Sequence, residues 1–158
     1  MLLSTPPMAN FAKAFISGTV GAGVLTLIHE AARRKVPRAP RMDIVGMRAV
    51  DRVMDWMHLQ LLNRPQLRRV ALAGDLVSNS LYYSAVPATT PGATWRRGLF
   101  LGALAGIGAV SLPERIGLGT APDSRSRSNQ LMTVAWYVFG GLAAAAAANA
   151  YADRTAAA

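Results

Sequence analysis

Charge is almost absent from three long stretches of this sequence, Ala14–Ile28, Gly98–Pro113 and Ser128–Ala152, and is crowded into the segments between them. A helix on a soluble protein carries charged residues along one face, and these stretches have no such face. A bilayer-crossing helix needs roughly 20 mostly apolar residues. The pattern therefore predicts an all-α integral membrane protein, a four-transmembrane-helix bundle forming a single domain over residues 1–158. The spans are expected at about 11–32, 67–86, 97–113 and 129–150, with one additional amphipathic helix at about 44–62 between spans one and two.

The chain carries 17 Lys and Arg against 8 Asp and Glu, a net charge of +9. In a soluble protein that balance directs attention to nucleic acid. Here the basic residues flank the apolar stretches, where they face anionic lipid head groups, and no nucleic-acid partner is expected. Ten of them lie in Arg33–Arg69 and three in Arg115–Arg127, leaving Lys13, Arg96, Arg97 and Arg154 for the rest. By the positive-inside rule both long connections are cytoplasmic and both termini outside. Arg-rich connections, Ala- and Gly-rich spans and small size resemble the general type of small four-span bacterial inner-membrane proteins. The expected location is accordingly the bacterial inner (cytoplasmic) membrane.

Met1–Asn10, with Pro6 and Pro7, reads as an irregular tail. The first span brings Ser17, Gly18, Gly21 and Gly23, small residues that admit a neighbouring helix. It closes on His29 and Glu30, where Glu30 and Arg34 stand in the favourable i, i+4 order for an ion pair. Pro37 and Pro40 stop that helix, and Asp43 is placed to cap the next. Ile44, Met47, Val50, Met54, Met57 and Leu61 then recur at helical spacing opposite Arg48, Asp51, Arg52 and Asp55. Such a helix either lies in the membrane interface or packs over the mouth of the bundle. The short Val86–Gly92 turn makes spans two and three expected neighbours. Gly98, Gly102 and Gly106 give span three an edge for close helix packing, without naming its partner.

The second span is the unusual one. Asp75, Ser78, Asn79 and Tyr82 fall at i, i+3, i+4 and i+7, one face of a helix. An ionisable residue inside a span is costly and marks a candidate site. This polar intramembrane face serves either packing and partner recognition, or a path for an ion, proton or small solute. Glu30, Arg33, Arg34, Arg41 and Asp43 form a second cluster at the cytoplasmic end, read as an anchor with local ion pairs or as a grip for an anionic head group. His29 and His58, the two histidines, match no metal spacing, and no cysteine is present. Neither a metal nor a cofactor is expected.

No nucleophile elbow, zinc-protease helix or nucleotide loop occurs. The favoured expectation is an accessory or interaction protein that binds membrane lipids, with a protein partner or a second copy of itself. A small oligomeric transporter or channel using the Asp75 face is the alternative, and a lipid-modifying enzyme using Glu30, Arg34 and Asp43 the third.

Overall fold

The computed structural model describes residues 7–59 and 62–156. It contains five helices and, among the described residues, no strand: α1 (Pro7–Lys35), α2 (Met42–Trp56), α3 (Arg64–Tyr83), α4 (Pro91–Arg115) and α5 (Arg127–Ala156). Two of them, over Phe11–Lys35 and Arg127–Arg154, are long and apolar enough to cross a membrane, each with mean hydropathy 1.6. The four-span expectation thus has support on length and apolarity from α1 and α5 alone. In α3 Arg68, Arg69 and Asp75 interrupt the apolar run, and in α4 the uncharged run Gly98–Pro113 falls just short of roughly 17–25 residues.

Helix ends follow local chemistry. The expected N-terminal tail is helical from Pro7, a residue suited to a first helical turn because the amide it lacks has no partner there. The remainder of that tail lies outside the described residues. Asp43 does not cap α2. Arg41 holds the cap position without a side-chain cap bond, and the Asp43 carboxylate is engaged by the Arg41 guanidinium instead. The amphipathic helix also ends at Trp56, well before 62, because His58 takes a left-handed conformation (φ 54°). Leu61 of the expected apolar stripe lies outside the described residues. Asn63 then starts α3 through a capping box, its side chain accepting from Gln66 N (3.0 Å) while Gln66 Oε1 accepts from Asn63 N (3.1 Å). Thr90 caps α4 by accepting from Ala93 N.

Packing runs in the order α4–α5–α1–α3–α2. The expectation that α3 and α4 pack as neighbours is corrected. A short turn joins them, but α3 lies against α1, and α4 against α5. Backbone contact explains the choice. A Cβ at Gly98 would stand 2.5 Å from Gly141 O, at Gly102 2.7 Å from Val138 Cα, and at Gly106 2.6 Å from Val134 Cα. All three glycines of the α4 edge therefore press on α5, where Gly141 meets Gly98 and Gly102 in return, while Gly140 faces Tyr83 and Gly21 on the opposite side. On the other side a Cβ at Gly18 would meet the α3 backbone at Ser80 O and Ser84 N. Leu25, Ala22, Tyr83, Val86, Ala144 and Ala145 form the sealed centre, all 0 % exposed.

Arg48 Nη1 donates to Leu118 O (3.1 Å) and Thr120 O (3.0 Å), while Arg52 donates to Ile116 O (2.7 Å) and Gly117 O (2.9 Å). These bonds dock α2 against the α4–α5 connection, so both long connections sit at one end of the molecule. Of the two sequence readings of α2, packing over the mouth is the one these contacts describe. Its C-terminal end still presents Val53, Trp56 and Met57 outward.

Candidate functional site

Two sequence clusters that looked separate converge where α1, α2 and α3 meet. Thr26, His29 and Glu30 share a face of α1 at i, i+3 and i+4. They face Met42, Asp43 and Gly46 of α2 and Arg68, Ala71, Leu72 and Asp75 of α3 around a chamber of about 50 Å³. By the same measure a water needs about 10–15 Å³, so the chamber has room for three or four water-sized groups.

Its charged rim is largely self-satisfied. Glu30 accepts from Arg33 (2.8 and 3.3 Å) and from Arg68 Nη2 across to α3 (2.7 Å), with Arg34 at 3.6 Å. The i, i+3 partner Arg33 is thus closer than the expected i, i+4 partner Arg34, which points into solvent with 70 % of its side chain exposed. Arg41 grips Asp43 through two bonds of 2.8 Å. Burial acts to raise the Asp43 carboxyl. The Arg41 hydrogen bonds and the charges of Arg41, Arg33 and Arg68 outweigh it and hold the group below its ordinary value. With Arg33, Arg41 and Arg68 turned onto carboxylates, only Arg34 of the cluster is presented for an outside anion.

The inner wall differs. His29 Nε2 and Thr26 Oγ1 are fully buried and have no hydrogen-bond partner among the described residues. The His29 ring is held edge-on by Trp136 (5.2 Å between centroids) and Tyr137 (5.7 Å) of α5. The Asp75 carboxylate takes one bond, from Asn79 Nδ2 (2.9 Å), which also donates to Asp75 O.

Asp75 is also where the chamber meets a second opening. Because α3 and α4 do not pack together, a groove of about 700 Å³ lies between them, closed at one end by α2 and floored by Tyr137. Asp75, Ser78, Asn79 and Tyr82 all line it, facing Leu104, Ile107 and Leu112 of α4. Only Tyr82 reaches across, its hydroxyl donating to Leu101 O (2.9 Å). Ser78 is exposed and bonds Asp75 O of its own helix, while Asn79 is buried. Met42, Gly46 and Asp75 line both openings, so chamber and groove adjoin at these residues. Apolar surface dominates both the groove and the chamber, and the chamber is set apart by the charged and hydrogen-bonding side chains Thr26, His29, Glu30, Asp43 and Arg68.

Sequence reasoning missed Thr26, Arg68 and Tyr83. Thr26 carried a signal, its placement one turn before His29 and Glu30. Tyr83 sits one position off the polar face, yet its buried hydroxyl donates to Tyr137 O (2.7 Å) and ties α3 to α5. Among the described residues no group of three or more His, Asp or Glu is arranged to hold a metal ion. Comparison with protein-family models, with curated proteins and with solved structures found no match.

Proposed function

We propose that this chain is a multi-pass membrane interaction protein, in which α1, α3, α4 and α5 cross the bilayer and the opening between α3 and α4 receives a membrane-resident guest. In this reading the site recognises and holds, and does not catalyse. The observation that carries it is the placement of the polar face of α3. If Asp75, Ser78 and Asn79 served only to lock helices together, they would bond to a neighbouring helix. Their bonds stay within α3 and they line an open, apolar-walled groove.

Outward-facing side chains support the bilayer setting. Leu27 (70 % exposed), Phe100 (66 %), Ile107 (56 %), Leu131 (70 %) and Phe139 (57 %) are large apolar side chains that water would penalise and acyl chains would solvate. Thirteen basic residues at the α2 end against four elsewhere favour a cytoplasmic α2 and outside termini, and a bacterial inner membrane as the location.

A groove-filling substitution tests the reading. Gly108 borders the groove, and a Cβ there meets only the flexible Leu112 side chain, at 3.4 Å. Gly108→Phe is expected to leave the bundle folded and to strip a bound lipid or partner helix from the gently purified protein, read by native mass spectrometry against wild type. An identical set of bound species in both proteins refutes the reading. Retention of water-soluble solutes alone favours the transporter alternative.

A further inference from the structure

The charged and hydrogen-bonding side chains of the inner chamber, set beside an apolar groove, restrict what the guest is. We propose that the two openings form one binding site for a single-chain amphiphile with a small cationic donor head, an alkyl amine. Its ammonium enters the chamber beside Asp75 and His29 Nε2, and its tail lies along the groove between α3 and α4. This rests on the groove reading above and adds the chemistry of the ligand to it.

Three observations carry the choice of head group. The chamber is lined by three carboxylates, Glu30 from α1, Asp43 from α2 and Asp75 from α3, of which the first is paired by Arg33, Arg34 and Arg68 and the second by Arg41. Glu30 and Asp43 are each gripped by arginine, whereas Asp75 has only the Asn79 amide, so its carboxylate keeps acceptor capacity. The buried His29 Nε2 and Thr26 Oγ1 add two further polar atoms without partners among the described residues. A neutral imidazole nitrogen and a hydroxyl both accept from an ammonium, and a buried acceptor left alone is costly. An anionic head would meet the Asp75 carboxylate, the one acid of the chamber with no arginine on it among the described residues.

The tail follows from this adjacency. Asp75, Met42 and Gly46 stand at the junction, so a chain leaving the chamber passes directly between Tyr82 and the Leu104–Leu112 side of α4. A groove of about 700 Å³ is within the range that small ligands occupy in proteins.

Trp136, in edge contact with His29, is a built-in reporter once Trp56 and Trp95 are replaced by Phe. The protein in lipid nanodiscs is titrated with decylamine, decanol, decanoic acid and hexylamine while Trp136 emission is followed. Decylamine is expected to give a saturable change, with decanoic acid weaker by at least about tenfold and hexylamine weaker than decylamine. Asp75→Asn, and independently Thr26→Val, each weaken decylamine by about tenfold, the worth of a hydrogen bond to a charged group. Either variant serves if the other fails to fold. Tighter binding of the acid than of the amine overturns the proposal, as does an unchanged affinity in whichever variant folds. If Gly108→Phe blocks decylamine while Asp75→Asn and Thr26→Val do not weaken it, the head-group assignment fails and the groove reading survives. If Gly108→Phe has no effect on any ligand, the groove reading itself fails.

Discussion

Gly102 makes the sharpest claim about how the bundle is held together. A Cβ added there would stand 2.7 Å from Val138 Cα and 2.8 Å from Tyr137 O, both backbone atoms of α5. Ordinary contact begins near 3.4 Å, so α4 must withdraw by about 0.7 Å or rotate, since no side chain can swing aside to make room. Withdrawal also loosens the close approaches at Gly98 and Gly106 on the same edge. Overpacking of this kind costs about 1–3 kcal/mol. Replacing a helical glycine by alanine returns about 0.5–1 kcal/mol from chain entropy. The net expectation for Gly102→Ala is a loss of about 1 kcal/mol, the middle of a difference that spans about 0–2.5 kcal/mol. Gly23, on α1, has no atom within 4 Å of its added Cβ, so Gly23→Ala keeps only the entropic gain of about 0.5–1 kcal/mol. The two identical chemical changes should thus shift stability in opposite directions. Reversible unfolding in mixed detergent micelles, titrated with a denaturing detergent and followed by circular dichroism, measures both. If Gly102→Ala stabilises the protein as much as Gly23→Ala, the α4–α5 contact is not the one described and the reasoning is refuted.

Other substitutions probe the remaining joints. Tyr83→Phe removes a buried 2.7 Å hydrogen bond to α5 and should cost about 1 kcal/mol in the same unfolding assay, with the fold retained. Arg48→Ala with Arg52→Ala frees α2 from the 116–120 carbonyls, at a cost of about 1 kcal/mol. Hydrogen exchange of α2 amides should accelerate about fivefold while α5 is unaffected. The depressed Asp43 carboxyl stabilises α2 docking fully above the unfolded value of about 3.9 and loses that contribution as pH falls through the lower folded value. A spin label on α2 should therefore become mobile only below about pH 4, and Asp43→Asn should abolish that acid transition.

How far the sequence speaks is clear from individual residues. Charge-free runs reveal helices because an uninterrupted apolar run is visible position by position, and the i, i+3, i+4, i+7 spacing puts Asp75, Ser78, Asn79 and Tyr82 on one helix face, the face that lines the groove in the fold. Pairing of helices is another matter. Gly98, Gly102 and Gly106 announce a close approach, but the partner is decided by which helix offers a complementary hollow, and the α5 backbone around Gly141 offers it where the chain neighbour α3 does not. Asp43 could cap a helix or accept a guanidinium, and only the folded position of Arg41 decides between them. The end of α2 rests on a left-handed His58, with neither Gly nor Pro at that position to betray it. Convergence of His29 and Thr26 with Asp75 depends on the α1–α3 crossing, which no local pattern encodes.

The proposed bilayer setting of the α3–α4 groove is open to a direct optical measurement. The sequence contains no cysteine, so a bimane attached at Ser78→Cys reports from the groove alone. In bilayers whose acyl chains carry bromine, the bimane should be strongly quenched, while aqueous iodide should leave it bright. Quenching by iodide with no response to brominated chains would place the α3–α4 opening in water and contradict the proposal.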